Sequence, residues 1–214
     1  MTMYFGSRRS FKSVTAAELA ALSAWIALHA GDRVGALVFG DQRVEHIRPL
    51  RSRARVEALL AAVVRANHGL SASAPEGETP GQLDKVLRDC LATAGHDHLI
   101  CIISDFAGVT PDTLRLLRQL RAHNDVIAMQ VFDPIALDVP DRGRITVTQG
   151  ELQVELEMER RQVHRPLGDF MAGRLQDVAE LLRRSQVPLL MISTGEETLG
   201  QVRRELGRLA GGAR

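Results

Sequence analysis

The sequence predicts an α/β fold, a doubly wound and mostly parallel sheet with helices on both faces. Three observations predict it. Short apolar runs at 33–39, 98–104, 125–132 and 188–192 have the length and composition of strands. Segments with apolar residues at helical spacing lie between them. Strands that alternate with helices imply a parallel sheet with right-handed crossovers.

The elements follow in order. Thr15-Ala-Ala-Glu18 reads as a capping box, with Leu19, Leu22, Trp25 and Ile26 behind it at helical spacing and Gly31 as the stop. Arg33 to Phe39 is a continuous apolar strand, as expected for one buried on both faces. Gly40-Asp41 is a turn, and Gln42 to Ile47 alternates like an edge strand. A helix over 53–66 carries Val56, Leu59, Leu60, Val63 and Val64 on one side. Residues 67–78 are a polar loop without periodicity. Thr79-Pro80 then opens a helix as N-cap and first residue, with Leu83, Val86, Leu87, Cys90 and Leu91 as its buried stripe. The strand at 98–104 ends at Asp105. Thr110-Pro111 opens the next helix, with Leu114, Leu117 and Leu120 inward. The strand at 125–132 ends at Asp133-Pro134. Alternation over 143–158 around Gln149-Gly150 reads as an inserted hairpin. A helix over 166–185, a strand over 188–192 and a helix carrying Leu199, Val202, Leu206 and Leu209 complete the chain.

The chain has 214 residues, 45% apolar and 25% charged, which suits one domain over 1–214 with its own core. A net charge of +1 gives no case for nucleic acid or an anionic membrane as partner. Lys12 and Lys85 are the only lysines, a bias we read as that of a GC-rich genome. Cys90 and Cys101 fit neither a disulfide framework nor a zinc site and read as buried free thiols of a reducing cytoplasm. The start lacks the basic-then-apolar pattern of a signal peptide. No apolar run reaches the roughly 18–20 residues that span a bilayer. A cytoplasmic location without a membrane segment in this chain is therefore expected.

Several motifs, in order and spacing, resemble one family. They are Phe5-Gly-Ser-Arg8, Lys12-Ser-Val, Ala16-Ala-Glu-Leu-Ala-Ala-Leu22, Gly31-Asp-Arg-Val-Gly-Ala36, Ile103-Ser-Asp-Phe106 and Val131-Phe-Asp-Pro134. The pattern looks like the bacterial domain-of-unknown-function family 58, whose members contain a von Willebrand factor A-like domain. The resemblance is strong to about residue 134 and looser beyond. It implies a metal-ion-dependent adhesion site. In that fold class an Asp-x-Ser-x-Ser motif, a Thr and a second Asp hold a divalent ion whose open position takes an acidic side chain of a partner protein. Mg²⁺ suits such a site because it wants six hard oxygens. The resemblance also implies a MoxR-type AAA+ ATPase as partner and a role as adaptor or assembly factor. No bond chemistry is required of it.

Carried over residue by residue, Thr2 takes the place of the second motif serine, Thr79 that of the metal-binding Thr, and Asp105 that of the second carboxylate. The motif's Asp and first Ser would precede Met1, so the site is expected to hold Mg²⁺ or Mn²⁺ weakly or not at all. The first central strand, between the strands at 33–39 and 98–104, is expected to be missing too. Three explanations stay open: a start assigned too late, a fragment or degenerate copy, and a strand supplied by another segment. An open slot would expose unpaired backbone groups and favour self-association.

Two other functions compete. A metal-independent interaction module could use the same face, or the slot for β-augmentation. A metal-dependent hydrolase could use Asp105 and Asp133, but no nucleophile or general base is identifiable. Ser104 has no His placed to activate it. His96-Asp97-His98 reads as a polar loop on the opposite edge. Arg51, Arg53 and Arg55 read as a solvated face, and Gly77 to Gly81 lacks the ending of a phosphate-binding loop.

Overall fold

The computed structural model describes residues 3–6, 9–40, 43–70, 81–139, 144–149, 152–157 and 161–211; over 144–168 and 209–211 the description is confined to the backbone. The order is α1 (Lys12–Ala30), β1 (Val34–Phe39), β2 (Val44–Leu50), α2 (Arg53–His68), α3 (Gln82–Ala94), β3 (Leu99–Ser104), α4 (Pro111–Arg121), β4 (Asp125–Phe132), a 3-10 turn (Pro134–Ala136), β5 (Arg144–Gln149), β6 (Leu152–Glu157), α5 (Arg161–Ser185), β7 (Leu189–Ser193) and α6 (Thr198–Gly211).

β3, β4 and β7 form a parallel sheet with β4 in the middle, Ser104 level with Gln130 and Phe132 level with Ser193. Helices cover both of its faces. On one, Ile102, Val126 and Ala128 pack with Leu83 and Leu87 of α3, Leu116, Leu117 and Leu120 of α4, and Val178 and Leu182 of α5. On the other, Met129, Val131, Leu190 and Ile192 pack with Leu19 of α1 and Val202 of α6. The alternation is that of strand side chains pointing to opposite faces.

β1 and β2 are a separate antiparallel pair. Their side chains Val34 and Ile47 join Ala24 of α1 and Val56, Leu59 and Ala62 of α2 in a third cluster. The expected single doubly wound sheet is thus observed as a three-stranded parallel sheet and a two-stranded antiparallel one. The expected burial of 33–39 on both faces is corrected: only Val34 is fully buried, because β1 has one paired neighbour among the described strands. Gly35 is required by close approach, since a Cβ there would lie 2.8 Å from the Ile47 carbonyl oxygen and 2.7 Å from the Pro49 ring. The expected hairpin is present as β5 and β6, antiparallel to each other.

Three helix starts differ from expectation. α1 begins one turn before Thr15, which is 1% exposed inside the helix. Its supposed capping partner Glu18 instead accepts a hydrogen bond from Thr198 Oγ1 of α6. α3 begins at Gln82 with Gly81, at φ 83°, in the N-cap position. Thr79 lies outside the described residues. α5 starts at Arg161, five residues earlier than expected. Thr110 does cap α4, in a reciprocal box with Thr113.

α1 also corrects the expectation that no segment could span a bilayer and, with it, the cytoplasmic location. An 18-residue window of this 19-residue helix has a mean hydropathy of 1.3, and the helix suffices by length and composition to cross a membrane.

Candidate functional site

The site is built on the turn that ends β3. Ser104 Oγ accepts from the Phe106 amide at 3.0 Å, and Asp105 Oδ1 accepts from the Ala107 amide at 3.1 Å. These two side-chain turns hold Phe106 at φ 54°, in the left-handed region that a bulky residue adopts only under constraint. Its ring is 1% exposed, buried in the cluster under α3 and α4. The fixed backbone aims Asp105 at the start of α1. Lys12 Nζ donates to Asp105 Oδ2 at 2.9 Å, with the two side chains only 14% and 9% exposed.

Lys12 is the first residue of α1. A cation there opposes the positive end of the helix dipole, and α1 has no acidic residue in its first turn to offset it. Asp105 supplies that compensation from another element. The incoming chain completes the setting: the Lys12 amide donates to the Phe5 carbonyl at 2.7 Å, the Ser13 amide to the Met3 carbonyl at 3.0 Å, and the Phe5 ring centre lies 5.9 Å from Lys12 Nζ. A Cβ on Gly6 would come within 2.2 Å of the Ser10 carbonyl oxygen, so this return needs glycine. Tyr4 and Phe11 stack beside it at 5.0 Å, 38% and 43% exposed.

Of the three expected metal ligands, Asp105 stands at the carboxyl end of a parallel strand, where α/β sheets bind ligands. Thr2 and Thr79 lie outside the described residues. The described residues do not fit a divalent ion here: one carboxylate oxygen is taken by an ammonium and the other by an amide. No group of three His, Cys, Asp or Glu residues suited to a metal occurs among the described residues. Mg²⁺ would meet the Lys12 ammonium 2.9 Å from the same carboxylate and find no group of carboxylates among the described residues toward the six oxygens it wants.

Asp133 ends β4 and is 3% exposed, but it accepts from the Ile135 amide of its own turn at 3.1 Å and from Thr194 Oγ1, just after β7, at 2.6 Å, so it joins two strand ends. His96 and Asp97 bond to each other at 2.6 Å in an exposed loop, and His98 to the His96 carbonyl. Arg53 pairs with Glu57 at the surface. Lys12 is the functional residue that reading the sequence missed. Nothing local marked it, since the expected helix start lay at Thr15; it stands out only as one of two lysines in a chain rich in arginine.

Residues 1–177 match the model of the protein family of unknown function DUF58. Two curated relatives, uncharacterized protein Rv1480 of Mycobacterium tuberculosis (strain ATCC 25618 / H37Rv) and uncharacterized protein Mb1516 of Mycobacterium bovis, are each 26% identical over 97% of this chain. The chain spans 65% of their length. Among solved structures, the conserved hypothetical protein BatB of Bacteroides thetaiotaomicron superposes with a TM-score of 0.53 at 11% identity, over 98% of this chain and 94% of that one, a likeness of fold alone. An uncharacterized membrane spanning protein of Vibrio fischeri aligns over 97% of this chain and 93% of that one at 11% identity, with a TM-score of 0.29, too low to bear on the fold.

Proposed function

The chain belongs to the DUF58 family of proteins of unknown function, and from that premise we propose that it is a protein-interaction module of von Willebrand factor A type that works without a metal ion at Asp105. The observation that carries the reading is the Lys12–Asp105 pair. A fixed ammonium neutralises the carboxylate that a metal would otherwise use, so recognition falls to the protein surface around it. Tyr4 and Phe11 offer exposed aromatic area there, of the kind that anchors interfaces. The partner we assign, by the resemblance, is a MoxR-type AAA+ ATPase, and the role is that of an adaptor or assembly factor rather than an enzyme.

The same reading accounts for the two sheets. β1 and β3 each have an edge with no partner among the described strands. Phe39 of β1 packs on the cluster that holds Ile102 of β3 and Phe106. A slot between two such edges suits one extended segment, as in a von Willebrand factor A sheet.

The test is binding to a MoxR-type ATPase, read by calorimetry with and without EDTA. Affinity is expected to survive chelation and to fall about tenfold when Tyr4 and Phe11 are both replaced by Ala. Binding that EDTA abolishes and Mg²⁺ restores would return the metal-bridged mechanism.

A further inference from the structure

A shallow, open basic groove runs along the outer face of α4 to the end of α5. Two adjoining hollows of about 430 and 450 Å³ share Arg118 and Ala122; Leu114 and Arg115 continue one of them, Arg121 and Arg184 the other. Arg118, Arg121 and Arg184 are all exposed, and none forms an ion pair with a carboxylate among the described residues. Some exposed arginines on other faces are paired, Arg65 with Glu45, Arg204 with Glu196 and Arg208 with Glu205, while Arg33, Arg48 and Arg203 have no such pair among the described residues; what sets the three apart is that they cluster over adjoining hollows.

The groove arginines are nonetheless held in place. Arg118 Nη2 donates to the Arg184 carbonyl at 3.0 Å, and Arg121 Nη1 to Gln186 Oε1 at 3.0 Å. Gln186 itself is fixed at φ 57° in the turn after α5, where its amide bonds to the Arg183 carbonyl and that of Val187 to the Leu182 carbonyl. Each of these two guanidiniums spends one donor on a neutral acceptor, which restricts its motion without cancelling its charge. Each guanidinium keeps further N–H donors, the kind of fork that matches carboxylates.

We propose that this groove docks an acidic segment of a partner protein. Its length is that of α4, about 16 Å at 1.5 Å per residue, enough for two or three turns of a partner helix. Leu114 and Ala122 supply an apolar floor, and the arginines meet the carboxylates on either side. A nucleic acid fits less well. The described lining has no aromatic ring on which a base could stack, and Asp112 closes the amino end of α4 with negative charge shared by Arg88 and Arg115. The inference does not rest on the surface around Asp105, and the two can fail separately.

Fluorescence anisotropy of a labelled glutamate-rich peptide, titrated with the full chain at low ionic strength, tests it. Binding is expected to weaken about tenfold in the triple variant Arg118→Ala, Arg121→Ala, Arg184→Ala and to be unchanged in Arg203→Ala. Arg184→Ala alone removes no bond within the described residues, and a loss of about two- to threefold is expected from it even if the triple variant is unstable. No binding, an equal loss in Arg203→Ala, or tighter binding of a labelled oligonucleotide or of inorganic phosphate to the same arginines would overturn the proposal.

Discussion

The pair Lys12–Asp105 joins two residues 93 positions apart, and its two halves were unequally legible. Asp105 could be singled out because a carboxylate ends an apolar run. Lys12 could not, because its partner is set by tertiary packing and nothing near it in sequence hints at a buried role. The pair is nearly shielded from water, so removing one member strands the other. Asp105→Ala is expected to cost about 2–4 kcal/mol of stability in urea denaturation, and Lys12→Met with Asp105→Leu together much less. Equal losses in the single and double variants would show that packing alone, and not charge, holds the site. The two thiols make a second prediction at this scale. Burial pushes both Cys90 and Cys101 up. A raised value in the fold means that the unfolded thiols ionise first, so this contribution is complete below about pH 8.5 and is lost as pH rises through the folded values. The fall in melting temperature between pH 8 and pH 10 should therefore be shallower in Cys101→Val than in the parent chain.

Among the elements, two similar patterns had opposite outcomes. Thr110 caps α4 through bonds from the Asp112 and Thr113 amides, while its hydroxyl donates to Asp84 Oδ2 at 2.7 Å. Thr113 Oγ1 donates to Asp84 Oδ1 at 2.5 Å, which ties α3 to α4. Thr110→Ala should cost about 1–2 kcal/mol in denaturant melts, and Asp84→Ala more, because two hydroxyls then lose their acceptor in a site that is 4% exposed. Thr15 and Glu18 have the spacing of a cap as well, yet both are engaged elsewhere. Thr15 faces the core, and Glu18 reaches an element 180 residues away. Local spacing announces a cap only where no distant partner competes for the same side chains. β1 was misjudged for a related reason. Its composition is that of a doubly buried strand, but burial depends on what lies beside it.

For the whole molecule, the alternation of strands and helices was enough to foresee a parallel sheet covered on both sides, and the apolar stripes foresaw most of the helix faces. What sequence order did not contain was the separation of β1 and β2 from the parallel sheet, since pairing is decided by neighbours far along the chain. Hydrogen exchange should reflect the result. The amides of β4, bonded between β3 and β7, should exchange slowest. The edges of β1 and β3 that have no partner among the described strands should exchange at least tenfold faster unless a partner strand occupies them. Uniform protection across β1, β3 and β4 would contradict the open edges. The partition also divides the interior. The lone tryptophan, Trp25, packs against the cluster of β1, β2 and α2 and against neither cluster of the parallel sheet. Its emission is a built-in reporter on one lobe. During unfolding in urea it should change at a lower midpoint than the far-ultraviolet ellipticity, which sums over every helix. A ligand that bridges the lobes would bring the two curves together, so that fluorescence and ellipticity would measure how firmly the halves are joined.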